Sequence, residues 1–378
     1  MHSRRTVAAG LLAGIVTLAA CGQPDDGATA RPAPPGHAQE RVRTLFSDTF
    51  HVDRLFPSML GPYTTRVVKL AEGEPAPPRE LVWLTGLEMD VVGPEDERTE
   101  SIEYECHTNL VWTKDQPAGV NRPLGQIFTL TQGQIDVRLP SGFGIPAYSD
   151  EDIVLNSQVL NLNRPDDDRR VRHRVRVRYV RDRDLAEPMK PLVSTGAFVM
   201  ASLEDEALVY GSGAIDAKAA AASCHAGSLP PGIPAQVPFI IEDPQGRKFT
   251  GHWVVKPGRH EYRTRVTDLM KLPYDTTLHF IGVHVHPYSV SVELRDLTAG
   301  TTVWKGAQRT TTDRVGLEAI ESFSSVEGVP LYKDHDYELV SVYDNPTERD
   351  SDAMASIFLY YLDKEFRPPP RPATDAGA

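Results

Sequence analysis

His284-Val285-His286 sits in a run of strand-forming residues, and Met354 follows about 70 residues later in Ser351-Asp352-Ala353-Met354. On a strand, residues i and i+2 project from the same face. Both imidazoles are therefore expected side by side. Neutral imidazole is a ligand for copper and other transition metals, and a thioether is a soft donor that selects Cu(I). Two nitrogens and one sulfur, brought together from two strands, would form a three-ligand copper site at His284, His286 and Met354. Nowhere else in the chain do such residue types recur at so regular a spacing.

Strands must position these residues, and the local pattern predicts them. From His284 onward the even positions run His284, His286, Tyr288, Val290, Val292 and Leu294, whereas Ser289, Ser291, Glu293 and Arg295 are polar. The alternation predicts one strand from His279 to Leu294 with both histidines on its inward face. Burying two imidazoles without a shared partner is costly, and a metal ion is a natural shared partner for neutral imidazole. Met354, Ser356, Phe358 and Tyr360 form one face of a second strand. His279 lies five residues before His284 and falls on the opposite face. His225, His252 and His260, each without motif context, read as surface or packing residues.

The rest of the body reads as all-β. Leu81–Leu87, Ile102–Trp112, Ile127–Leu130, Ile153–Asn161, His173–Val180, Tyr337–Tyr343 and Ala355–Leu362 are rich in β-branched and aromatic residues and are separated by Pro, Gly, Asn and Asp. Ala214–Ala222 is the one short helical pattern. So many short strands predict two β-sandwich domains of jelly-roll type. The expected boundary is the proline-containing break at Asp184–Pro188, which separates domains at 41–187 and 188–366. Val171–Tyr179 alternates strictly, with Arg on one face. That face could hold an anion or a lipid headgroup, but a solvated face of a soluble sheet is the reading preferred here.

The ends carry targeting signals. Arg4 and Arg5 precede an apolar run, Thr6–Ala20, too short to span a bilayer. The run closes on Leu18-Ala19-Ala20-Cys21, which looks like a bacterial lipobox. Residues 1–21 then form a lipoprotein signal, with Cys21 lipidated, and residues 22–40 form a flexible tether. Gly22 is not the usual retention aspartate, so an outer-membrane anchor facing the periplasm is expected in a Gram-negative cell. Residues 367–378, rich in Pro, read as a disordered tail. The net charge of −12 argues against a nucleic-acid partner, which usually requires a basic footprint. Cys106 and Cys224 are an even pair in an exported chain and read first as a disulfide. Alternatively, Cys106, beside His107, is a metal ligand.

The C-terminal half resembles the copper type II ascorbate-dependent monooxygenases, the peptidylglycine α-hydroxylating monooxygenase family. That family has His-Thr-His-His-Leu-Gly on one strand and a later Ser-Asp-Glu-Met segment leading into a Tyr-Tyr strand. Here His284-Val285-His286 and Ser351–Met354, followed by Tyr360-Tyr361, fall in the same order, and Val255-Lys256-Pro257-Gly258 resembles the family's turn before the histidine strand. The likeness covers Pro188–Phe366, with an insertion around Ser202–Pro238. It implies two jelly-roll domains and a copper ion held by His284, His286 and Met354. The N-terminal half is similar to the family more weakly. Gln158-Val159-Leu160-Asn161 stands where the family has Gln-Val-His-Tyr, so Leu160 replaces a histidine of the family's second copper site. His107, in Cys106-His107-Thr108, is the remnant of that site.

Three readings follow: a copper-dependent oxidoreductase acting on a small-molecule or peptide substrate, an envelope protein that handles or senses copper without turnover, and a structural lipoprotein that keeps the fold. The chain has no Walker loop, dinucleotide glycine fingerprint, Gly-x-Ser-x-Gly elbow or His-Glu-x-x-His pattern.

Overall fold

The computed structural model describes residues 39–58, 60–70, 79–95, 98–113, 125–204, 240–242 and 246–369. Cys21, Cys224, the helical pattern at Ala214–Ala222 and most of the tether and tail lie outside these residues. Their regular secondary structure is almost entirely β-strand, as the punctuated Val/Ile/Tyr runs predict.

One long sheet forms the spine. Its order is β1 (Arg41–Phe46), β10 (Arg169–Arg181), β4 (Leu81–Val92), β8 (Phe143–Tyr148), β11 (Lys190–Phe198), β24 (Ala355–Leu362), β17 (Thr276–Val285) and β21 (Phe323–Leu331), with β2 (Phe50–Val52) on β10 and β7 (Asp136–Arg138) on β4. A second sheet is ordered β3 (Tyr63–Lys69), β9 (Asp152–Val159), β5 (Glu105–Trp112) and β6 (Gln126–Leu130). A third is ordered β16 (Gly258–Arg265), β22 (Tyr337–Asn345), β18 (Ser289–Asp296), β19 (Thr301–Thr310) and β20 (Leu317–Ile320). Two ribbons complete the set: β15 (Trp253–Val255) with β23 (Ser351–Ala353), and β12 (Ala201–Ser202), β14 (Lys248–Thr250) and β13 (Ile240–Glu242).

The spine and the second sheet enclose one buried cluster, which includes Leu84, Leu110, Phe128, Leu155 and Val175. The spine and the third sheet enclose another, which includes Ile281, Val283, Val292, Leu339 and Ile357. These are two sandwiches, each closed by burial of alternating apolar side chains. Asp182–Asp184 forms a 3-10 turn ahead of β11. The spine crosses this point through a short parallel pairing of Lys190 with Phe143 and of Pro191 with Gly144. Strands near the crossing are buried on both faces: in β24, Ala355, Ile357 and Leu359 enter the second cluster while Phe358 and Tyr360 enter the first.

The arginine face of β10 is a paired, solvated face. Arg174 and Arg176 bind Asp90, Arg176 and Arg178 bind Glu88, and Arg172 lies over Phe46. The carboxylates come from β4, the neighbouring strand, which alternates Glu88 and Asp90 against the arginines. The expected continuous strand His279–Leu294 is instead two strands. β17 ends at Val285 and β18 begins at Ser289. Pro287 cannot donate to a ladder, and Tyr288 adopts a left-handed φ of 72°. The chain therefore turns at His286–Tyr288, and the apparent alternation across it is coincidental.

Candidate metal centre

The turn that splits the predicted strand also places the histidines. His284 is the second-to-last residue of β17 and pairs with Ser356 of β24. His286 lies just past the strand end, and its amide donates to Tyr343 Oη at 3.2 Å. Both are buried, and their rings stand edge to face with centroids 5.5 Å apart. Two further groups join them from the β15–β23 ribbon. His252 immediately precedes β15, and Asp352 is the middle residue of β23, paired with Val254. The His252 ring stands edge to face with that of His286, 5.1 Å away. Asp352 Oδ2 lies 2.7 Å from His286 Nδ1 and 3.5 Å from His252 Nε2.

One ligand atom from each of His252, His286 and Asp352 lies within 4.8 Å of the other two. Metal–nitrogen and metal–carboxylate bonds run to roughly 2.0–2.2 Å, so three donors around one ion need only slight contraction of this arrangement. The donor atoms also show incomplete pairing. His284 Nδ1 and His286 Nδ1 are buried without an aligned hydrogen-bond partner among the described residues. His286 Nδ1 and Asp352 Oδ2 are close but off the hydrogen-bonding direction. A shared cation satisfies such a nitrogen and carboxylate together.

The electrostatics suit a metal. Burial pushes His284 well below its usual pKa, aided by His286, His107 and His252. Burial likewise lowers His252, against the opposing pull of Asp352. Burial would raise the Asp352 carboxyl, but His286 and His252 outweigh it and hold the group well below the ordinary carboxylate range. The lowered His252 and His284 favour the neutral imidazole, and the depressed Asp352 the ionised carboxylate, that a metal requires.

Met354 sits at the junction of the two strand systems. The β15–β23 ladder ends with Trp253 opposite Ala353, and the β17–β24 ladder ends with Val285 opposite Ala355. Met354 is the residue between them, half-buried, with its carbonyl accepting from Tyr343 Oη at 2.6 Å. His107, on β5 of the N-terminal sandwich, reaches the same cluster, its ring edge to face with His284 at 6.0 Å. Burial, then His286, pushes His107 down to about 4. Leu160 is buried and contributes no donor side chain. His173, from β10, lies farther into that sandwich, with Nδ1 3.1 Å from Glu105 Oε2. His279 is turned away and bonds Thr277 and the Ser325 carbonyl. Cys106 is buried on β5, and its expected partner, Cys224, lies outside the described residues.

His252 and Asp352 were not singled out by spacing. Asp352 was visible within the Ser351–Met354 segment, but nothing in periodicity links it to a histidine 100 residues earlier. Ser58, from the N-terminal half, is a further neighbour, its hydroxyl 3.5 Å from His286 Nε2.

No family model matches the chain, and no curated protein does. Among solved structures, PBCV-1 VP54 fitted into a reconstruction of the virophage Sputnik aligns over 89% of this chain and 98% of its own, at 8% identity and a TM-score of 0.32. The major capsid protein P2 of bacteriophage PM2 aligns over 85% and 97%, at 7% identity and a TM-score of 0.31. PNGase F, a glycosylasparaginase from Flavobacterium meningosepticum, aligns over 87% and 98%, at 8% identity and a TM-score of 0.32. No helix among the described residues is long and apolar enough to cross a membrane.

Proposed function

We propose that this chain is an exported, lipid-anchored metalloprotein that holds one copper ion in the partly buried cluster of His252, His286 and Asp352, with His284 and Met354 as the adjoining donors. The observation that carries this reading is the convergence of three donor atoms within 4.8 Å, from a ribbon and a strand end that are remote in sequence. Copper is the preferred ion for two reasons. Among first-row divalent metals, a nitrogen and oxygen donor set binds Cu(II) most tightly. A neighbouring thioether at Met354 would add the soft donor that favours Cu(I). The resemblance to copper monooxygenases around His284-Val285-His286 and Ser351–Met354 supports the same choice. The lipobox-like Leu18–Cys21 supports the anchor.

Bound copper would supply a one-electron couple. The chain's own residues would orient and enclose it: Asp352 supplies the anionic ligand, buried imidazoles supply neutral ones, and Ser58 holds the far nitrogen of His286. Copper handling without turnover is the favoured activity. Leu160 stands where the resemblance requires a histidine of a second site, and a leucine side chain has no lone pair to donate.

The test is metal content. The chain, purified in detergent, is loaded separately with Cu(I) under anaerobic conditions, Cu(II), Zn(II) and Fe(II), then desalted and assayed. One copper per chain is expected, retained more tightly than zinc or iron and lost from the His252→Ala/His286→Ala/Asp352→Ala variant. Retention by that variant, or no copper in the unsubstituted chain, would sink the proposal. Ascorbate-dependent oxygen consumption is expected to be weak or absent, and a brisk rate would restore the oxidoreductase reading.

A further inference from the structure

Tyr343 belongs to β22, in the sheet opposite the spine, yet its hydroxyl reaches both elements that carry the donors. It accepts from the His286 amide at 3.2 Å and donates to the Met354 carbonyl at 2.6 Å. Its ring is fully buried and stands edge to face with Trp253 at 6.0 Å and with Tyr262 at 6.4 Å. Trp253 is the residue after His252. The next residue, Asp344, donates its amide to the Tyr288 carbonyl at 2.9 Å and so holds the turn that follows His286. One side chain thus meets the strand end bearing His286, the junction two residues beyond Asp352, and the residue next to His252. Removing the hydroxyl would leave a backbone donor and a backbone acceptor in a buried setting without their partner.

We propose that Tyr343 is a positioning residue of the metal centre, whose hydroxyl sets the separation between His286 and Asp352. The proposal rests on the reading of the cluster as a metal site. Tyr343 is not a ligand and acts only through the backbone of the segments that carry the ligands. Outer partners of this kind typically change metal affinity by roughly 10–100-fold.

The test compares Tyr343→Phe with Tyr337→Phe. Tyr337 lies on the same strand, is buried, and its hydroxyl likewise bridges backbone groups, accepting from the Tyr332 amide at 2.8 Å and donating to the Tyr332 carbonyl at 3.0 Å. Tyr343→Phe is expected to weaken copper binding about 10–100-fold and to change the Cu(II) electron paramagnetic resonance spectrum. Tyr337→Phe should lose stability while keeping native affinity and spectrum. Native affinity and spectrum in Tyr343→Phe, or equal losses in both variants, would overturn the proposal. If Tyr343→Phe does not fold, hydrogen exchange in the unsubstituted, metal-free protein decides. Protection of the His286 amide to the level of β17 supports the clamp, and free exchange there overturns it. A failure of the unsubstituted chain to bind metal would remove the metal reading and the positioning role with it, whereas failure of the clamp alone appears as free exchange in a chain that still binds copper.

Discussion

At the scale of the residue, the proposed centre would combine donors of opposite preference. Asp352 is an ionised carboxylate held 2.7 Å from His286, and a hard anionic oxygen favours a divalent ion. Met354 offers a soft sulfur that favours Cu(I). Two substitutions separate their contributions. Asp352→Asn keeps the shape and removes the charge, and should weaken Cu(II) by roughly 100-fold or more, beyond what loss of an outer partner costs, with a smaller effect on Cu(I). Met354→Ala should do the reverse. Competition titrations with each oxidation state measure both, and a Met354→Ala protein with native Cu(I) affinity would exclude the thioether. His284 and His286 were legible as neighbours because they stand two residues apart, although His286 lies just past the end of β17 and not on the strand. His252 was not, because its partner is a carboxylate on a strand brought alongside only by folding.

At the scale of the element, the short β15–β23 ribbon matters most, since it delivers His252 and Asp352 on adjacent segments. β18, which follows the turn after His286, is fastened by its own ion network. Glu293 accepts from Arg295 at 2.8 Å and Thr302 at 2.8 Å, and Lys305 lies 3.3 Å away. Its hydrogen bond to Arg295 leads the causes that hold its pKa at about 2, against the pull of burial. A depressed carboxyl contributes stability that is fully present above the unfolded value near 4.5 and is lost as pH falls towards 2. Because Arg295 and Lys305 are partly exposed, solvent screening reduces this contribution to about 1–2 kcal/mol. Glu293→Gln should be less stable than the native chain by about that amount at pH 7, with the gap closing progressively below pH 4.5. Urea denaturation across that range checks it, and a gap independent of pH would refute it. The strands β4, β5, β6, β9, β10, β22 and β24 were legible from residue type, whereas strands such as β1, β3, β11, β16, β19 and β21 were not named. The break at Pro287 was missed because the residue types alternate straight through the turn, which Tyr288 makes with a left-handed φ of 72°.

At the scale of the whole molecule, the two sandwiches share one spine. Phe280 and Tyr360, from the C-terminal half, are part of the buried cluster of the N-terminal half, with ring centroids 5.5 Å apart. Tyr360 Oη donates to the Ile127 carbonyl at 2.8 Å, and the Val283 amide donates to Gln134 Oε1 at 2.9 Å. Both bonds connect residues more than a hundred positions apart. The described body should therefore unfold in one transition, monitored alike by far-UV circular dichroism and by tryptophan fluorescence. Phe280→Ala should lower its stability by about 3–5 kcal/mol, as buried aromatic deletions do. Two separated transitions, with only one of them shifted by Phe280→Ala, would show instead that the halves are independent.

The sequence by itself determined the fold class and the histidine pair, because β-propensity, turn chemistry and i, i+2 geometry are local properties. It also carried the arginine face of β10 as one side of a sheet, whereas its partners, Glu88 and Asp90, come from the neighbouring strand β4. Tertiary structure alone decided which residues complete the centre. The ribbon pairs Val254 with Asp352 and Trp253 with Ala353, the spine sets His107 of one sandwich beside His284 of the other, and β22 aims Tyr343 at both donor segments. These contacts depend on strand order and register across distances where no periodicity operates. The physical reason is that buried donors must converge from several backbones, and the choice of backbone is made by the packing of the whole core.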